Sequence, residues 1–378
     1  MINYNDYVNR LKQIQSLLLD FIDNSEDSEQ SYNELQKLLT SLNVQSNKYD
    51  IRLILNTISA ISNNHYRSPY FVSKLLSVIK IFQEKINEYF SNLEIFNIFK
   101  ENKLVLLNLI ENNIINIDES VSNAIQADNN YKLFFSPEVE KFTKQKIRNK
   151  YLTDDFDNRR KLGENDSYIC NLIRNDSVID FIKYITKNCI PLSGCINSSI
   201  FETNSFLIEK QKRQKITLIK YASFFGSIQI VRYLSMNNVQ LDSSLFLYAA
   251  HSQNAELLHF LEEQIKMNDP DKNQLYLESI KCHHNAFVQY IQDAFCEIEY
   301  ESPIINDEKW KYYNILCTDS NLNIYANIRS LIKYNYYNIV NYIIESDDID
   351  INSIQIIEKN FYCILRIIFS HEIDNQSF

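Results

Sequence analysis

A chain of 378 residues with 45% hydrophobic content can bury a sizeable core, and its net charge of −10 argues against a general nucleic-acid binder. It holds only 3 Gly and 5 Pro, against an average usage of about 7% Gly. Phosphate-cradling loops and hairpin-rich sheets both lean on glycine, so this composition excludes them and favours helices joined by Asn, Asp and Ser turns.

The opening MINYNDYVNRLKQIQ lacks the charged-then-apolar pattern of a secretory leader. No run of about 18 apolar residues follows, so no membrane insertion is expected. Four amphipathic stripes come next, at helical spacing. They are Val8, Leu11, Ile14, Leu17, Leu18 and Phe21; then Leu35, Leu38, Leu39 and Leu42; then Ile51, Ile54, Leu55 and Ile58; then Phe71, Leu75, Val78, Ile79 and Phe82. The seven cysteines are scattered and form no CxxC pair. That is the usage of reduced, buried thiols, and the expected location is cytoplasmic.

Further along, a hidden period emerges. With Ala222 as origin, Ile230, Val231, Tyr233 and Leu234 follow at +8, +9, +11 and +12, one face of a helix. The same template fits from Ala249, Ser279, Ile304, Leu331 and Ile356, at spacings of 25 to 30 residues. Upstream copies start at Cys170 (Val178, Ile179, Phe181, Ile182) and Ile98 (Leu106, Leu107, Leu109, Ile110). Such repeats have room for two short helices and a turn, and little for a hairpin. At +4, Gly226 gives way to Gln253, His283, Glu308, Asn335 and Asn360. These are poorer left-handed residues, which predicts looser inter-helix turns. Three regions follow: an N-terminal helical domain over 1–126 with degenerate repeats near its end, a linker or irregular segment over 127–164, and a repeat domain over 165–374.

The segments ISNNHYRSPYF (from Ile61), FSNLEIFNIFK (from Phe90), GENDSYICNLIRNDSVIDFI (from Gly163), SIFETNSFL (from Ser199), LIKYASFFGSIQIVRYL (from Leu218) and ESIKCHHNAFVQYI (from Glu278) carry a family likeness. In them the chain resembles a large protist family of ankyrin-like proteins with a domain of unknown function. The resemblance implies an all-α, ankyrin-like helical solenoid used for protein–protein contact. It implies no reaction and no catalytic residues.

Candidate chemistry is sparse. Cys282-His283-His284 offers zinc-type ligands, yet no second ligand pair follows at metal spacing, and an ordinary turn is the competing reading. His65 has no nucleophile motif beside it. No catalytic residue, metal or cofactor is expected, and no small-molecule substrate. In an ankyrin-like unit the +2 and +3 positions of the first helix face the concave groove. They select Phe224, Phe225, His251, Lys281, Lys333 and Tyr334 as binding residues for a protein partner. Phe224-Phe225 has the chemistry of an interface anchor, unless the lobe between Cys170 and Ala222 packs over it. The alternative function is a nucleic-acid or anionic-lipid contact through the basic segment 141–161.

Overall fold

The structure is a computed structural model that describes residues 4–23, 28–68, 70–284, 287–288 and 290–291. Among them the protein is all-helical, with 19 α-helices, one short 3-10 turn and no strand beyond an isolated bridge between Cys195 and Thr217. None of these helices is long and apolar enough to cross a membrane. The described residues fall into two compact units, one within Met1–Ala60 and Tyr276–Phe378, the other Ile61–Leu275.

In the first unit, α1 (Tyr4–Asp23) packs on α2 (Ser28–Ser41), with the rings of Phe21 and Tyr32 5.2 Å apart. Ile14, Leu18, Phe21, Leu35 and Leu39 of the expected stripes are buried there. α3 (Lys48–Asn64) buries all four residues of the third stripe.

The second unit opens with α4 (Phe71–Lys80) and α5 (Gln83–Tyr89); all five residues of the fourth stripe are buried. α6 (Asn92–Phe99) starts at a capping box between Ser91 and Glu94. α7 (Lys103–Glu111) starts at Asn102, whose side chain accepts from the amides of Leu104 and Val105. α8 (Glu119–Gln126) and α9 (Asn129–Phe134) are capped by Asp118 and Asp128 in the same way. Residues 127–164, read from the sequence as a linker or irregular segment, contain three short helices: α9, α10 (Ser136–Thr143) and α11 (Phe156–Leu162).

Three helix pairs follow: α12 (Tyr168–Arg174) with α13 (Val178–Lys187), then, after α14 (Ser205–Arg213), α15 (Leu218–Phe224) with α16 (Ile228–Met236), and α17 (Ser244–Ala249) with α18 (Ala255–Gln264). α12 packs on α15 and α15 on α17, while α13 packs on α16. Ile230, Val231, Leu234, Leu257, Leu258 and Leu261 are buried, as the template requires.

The turns inside the pairs are not loose. Asp176, Gly226 and Gln253 all adopt positive φ (47°, 69° and 52°), and His283 does the same at 58° after α19 (Asp269–Lys281). At Gly226 the amides of residues 226 and 227 donate to the carbonyls of Ser223 and Ala222; at His283 the amides of 283 and 284 donate to those of Ile280 and Ser279. Hydrogen bonding therefore holds His283 in a backbone region that glycine occupies at lower cost, Gln253 adopts the same region, and the expectation of relaxed turns is corrected at these two positions. The upstream register is corrected too. The equivalent bond runs from Ser177 to Leu172, so the origin is Leu172 rather than Cys170, and Ile179 is 68% exposed.

Each turn also reaches the next pair. Ser227 Oγ donates to the Ile173 carbonyl at 2.6 Å, and the Asp176 carboxylate accepts from the amides of Gln229 and Ile230. Asn254 Nδ2 donates to the Gly226 carbonyl at 2.8 Å.

Candidate functional site

The first-helix face was the expected groove, and it is covered. Phe206 of α14 lies with its ring 5.8 Å from Phe224, 5.0 Å from Tyr248 and 4.3 Å from His251. Phe224 is 7% exposed and His251 3%. Phe224 and His251 are thus core residues, a correction to their reading as groove-facing anchors; burial against α14 is the physical reason. Phe225 is half-buried, its ring 4.8 Å from that of Tyr221 and 6.0 Å from the Arg174 guanidinium. Lys281 pairs with Glu278 of its own helix at 3.2 Å. Lys333 and Tyr334, and the origins Ile304, Leu331 and Ile356, lie outside the described residues. His283 is the left-handed turn residue described above, and His65 is buried with its ring 6.3 Å from Phe71.

Polar groups gather elsewhere, inside the second unit. The segment after α3 brings Arg67, α7 brings Lys103, the exit of α11 brings Glu164, α12 brings Arg174, the approach to α14 brings Glu202 and Thr203, and α15 brings Tyr221. Gly163 ends α11 at φ 70°, and its carbonyl accepts from the Thr203 amide (3.1 Å) and Thr203 Oγ1 (2.7 Å). Arg67 Nη1 donates to Thr203 Oγ1 at 2.7 Å and lies 3.6 Å from Glu164 Oε1. Arg174 Nη1 donates to Tyr221 Oη at 3.0 Å and to the Asn165 carbonyl at 2.8 Å. Lys103 Nζ donates to the Ile200 carbonyl and sits 4.9 Å over the Phe134 ring. Glu202 accepts from the Asn204 amide at 2.8 Å through one oxygen.

Burial dominates the electrostatics. It raises the Glu164 carboxyl to about 8, helped by Glu202 and opposed by Arg67 and Arg174. It raises Glu202 as well, against its bond from Asn204. It lowers the Lys103 ammonium to about 8, against the pull of Glu202. The Cys170 thiol is pushed up to about 11 by burial, so it is no ready nucleophile.

Comparisons with protein-family models, curated proteins and solved structures return no match. The site is therefore read from its own chemistry.

A proton balance follows from these shifts. Between its ordinary 4.5 and about 8, Glu164 binds more proton in the folded chain than in the unfolded one, so its contribution falls as pH rises through that window. Lys103 binds less in the folded chain between about 8 and its ordinary 10.5, so its contribution recovers there. Urea unfolding as a function of pH should show wild type losing about 1–3 kcal/mol relative to Glu164→Gln between pH 5 and 8. A pH-independent difference would refute the assignment.

None of these cluster residues was singled out as a site by sequence reading. The one signal present was positional: Arg67, Glu164, Arg174, Glu202 and Tyr221 all lie inside segments that carried the family likeness. The basic segment 141–161 fares differently. Arg160 pairs with Glu138 at 2.8 Å and Asp157 at 2.6 Å, and Arg159 with Asp166 at 3.0 Å. Both arginines thus serve the fold, leaving exposed cations only at Lys141, Lys144, Lys146, Arg148, Lys150 and Lys161 within the segment.

Proposed function

We propose that this chain is a non-enzymatic protein-interaction module built as an ankyrin-like array of helix pairs. The observation that carries the reading is the stacking of three consecutive pairs, first helix on first helix, joined by one repeated left-handed turn. Arrays of this kind recognise partners over an extended face and need no deep pocket. With α14 seated on the first helices, recognition falls to the second helices. There Ile179 and Met236 are 68% and 80% exposed, on α13 and at the end of α16. Charges of both signs surround them, including Asp180, Lys183 and Arg232. Large apolar side chains kept in water among charges suit a partner's apolar ridge with a polar rim.

The test places a photo-crosslinking amino acid at Ile179, at Met236 and, as a control, at the buried Phe206. Adducts with one and the same protein in native extract are expected from the first two and not the third. Adducts from none, or equally from all three, would sink the proposal.

A further inference from the structure

The buried cluster of the second unit holds polar atoms of both signs with nothing to bond. Glu202 is 6% exposed, and its Oε2 has no hydrogen-bond partner. Glu164 Oε2 and Arg67 Nη2 are in the same condition. Arg67 Nη1 is bonded to Thr203 and paired with Glu164 Oε1, and Glu202 Oε1 accepts from Asn204, so the three atoms call for a donor to Glu202, an acceptor for the Arg67 N–H and a partner for the Glu164 carboxyl. Uncompensated buried charge is costly, which makes an interior that keeps all three more than a packing accident.

The surrounding charges narrow the choice. A metal ion would meet Arg67, Lys103 and Arg174 around only two carboxylates, a balance that repels cations. A simple anion satisfies Arg67 but leaves Glu202 Oε2 without a donor. A neutral hydroxyl compound answers charged groups with weaker neutral bonds. A molecule carrying an ammonium beside a carboxylate answers both signs at no net charge.

We propose that this cluster binds a small zwitterion, an α-amino acid or related aminocarboxylate, with its ammonium between Glu164 and Glu202 and its carboxylate on Arg67. Access is through the two rim residues, since the side chains of Arg67 and Glu164 keep 13% and 14% of their surface exposed. Tyr221, Thr203 and Lys103, all buried, complete the cluster. Arg174, on α12, adds a second guanidinium to the cluster, held by Asn165 and Tyr221. Binding ionises the Glu164 carboxyl: its proton leaves to solvent and the carboxylate accepts from the ligand's ammonium. No covalent bond forms or breaks in the ligand.

The test titrates the full chain with each common α-amino acid, and with ammonium acetate and glucose as controls, by calorimetry in two buffers of different ionisation enthalpy. At least one amino acid should bind and release about one proton at pH 7, seen as a buffer-dependent heat. Its affinity should fall by about tenfold or more in both Glu202→Gln and Arg67→Lys. Glu202→Gln is isosteric and Arg67→Lys keeps the charge while removing the guanidinium fork, and circular dichroism checks that they fold; should one unfold, the other and the proton release decide. Three outcomes overturn the proposal: no binding at about 10 mM, below any useful specific affinity; binding that both variants retain; or equal binding of glucose or ammonium acetate, which would mark the unmet atoms as water sites.

Discussion

Phe206→Ala should destabilise the second unit by about 3–5 kcal/mol, the usual cost of emptying a buried phenylalanine site. Its ring is 2% exposed and contacts Phe224, Tyr248 and His251, which come from two different helix pairs. Removing it leaves a void bounded by rigid aromatic rings, which collapse poorly, so the upper part of the range is expected. Urea unfolding measures the loss. If α14 were a loosely laid strap, the midpoint would barely move. An exposed Phe224 would tolerate serine; the buried Phe224 seen here belongs to the same packed set and should not.

Gly163→Ala should be nearly as damaging, at about 2–4 kcal/mol. Two causes add. The residue sits at φ 70°, where an L side chain is strained, and a Cβ there would lie 2.7 Å from Leu104 Cδ2 and 3.0 Å from Thr203 Oγ1. Relief requires moving the very carbonyl that accepts from the Thr203 amide and hydroxyl. Thr203 in turn receives Arg67, so the loss should reach the charged cluster. The expected signature is a flattened pH dependence between 5 and 8, alongside the drop in stability. Stability lost with the pH profile intact would show that the cluster holds its geometry without this turn.

Helical content, the stripes of the first four helices and the register from Ala222 to Ser279 were legible in the sequence. Each rests on a local period of apolar residues, which a helix enforces within a few turns. Leu172 was missed because its +8 and +11 positions are Asp180 and Lys183, whereas Cys170 places four apolar residues on the template. α14 was missed for a different reason: SFLIEKQKR buries only Phe206 and Leu207, too few for a stripe. Phe224 could be listed as a groove residue only while its cover was unknown. The charged cluster lay further out of reach. Arg67, Lys103, Glu164, Arg174 and Glu202 share no spacing, and only folding brings them together. Apart from their place in the family-like segments, the sequence marks only Glu202 locally, a charge set among apolar or small neighbours in SIFETNSFL.

The bonds passed from turn to turn limit how such a chain can change length. Asn254 reaches back to Gly226, and Ser227 reaches back to Ile173. A segment lost or duplicated between Gly226 and Gln253 keeps every donor opposite an acceptor only if it spans the whole 27-residue step from one left-handed turn to the next. A gain or loss of two or three residues inside a pair would strand a buried carbonyl on one side and rotate an apolar helix face on the other. Length variation is therefore expected in whole pairs, or in stretches between them that lie outside the packed contacts of Thr203 and α14.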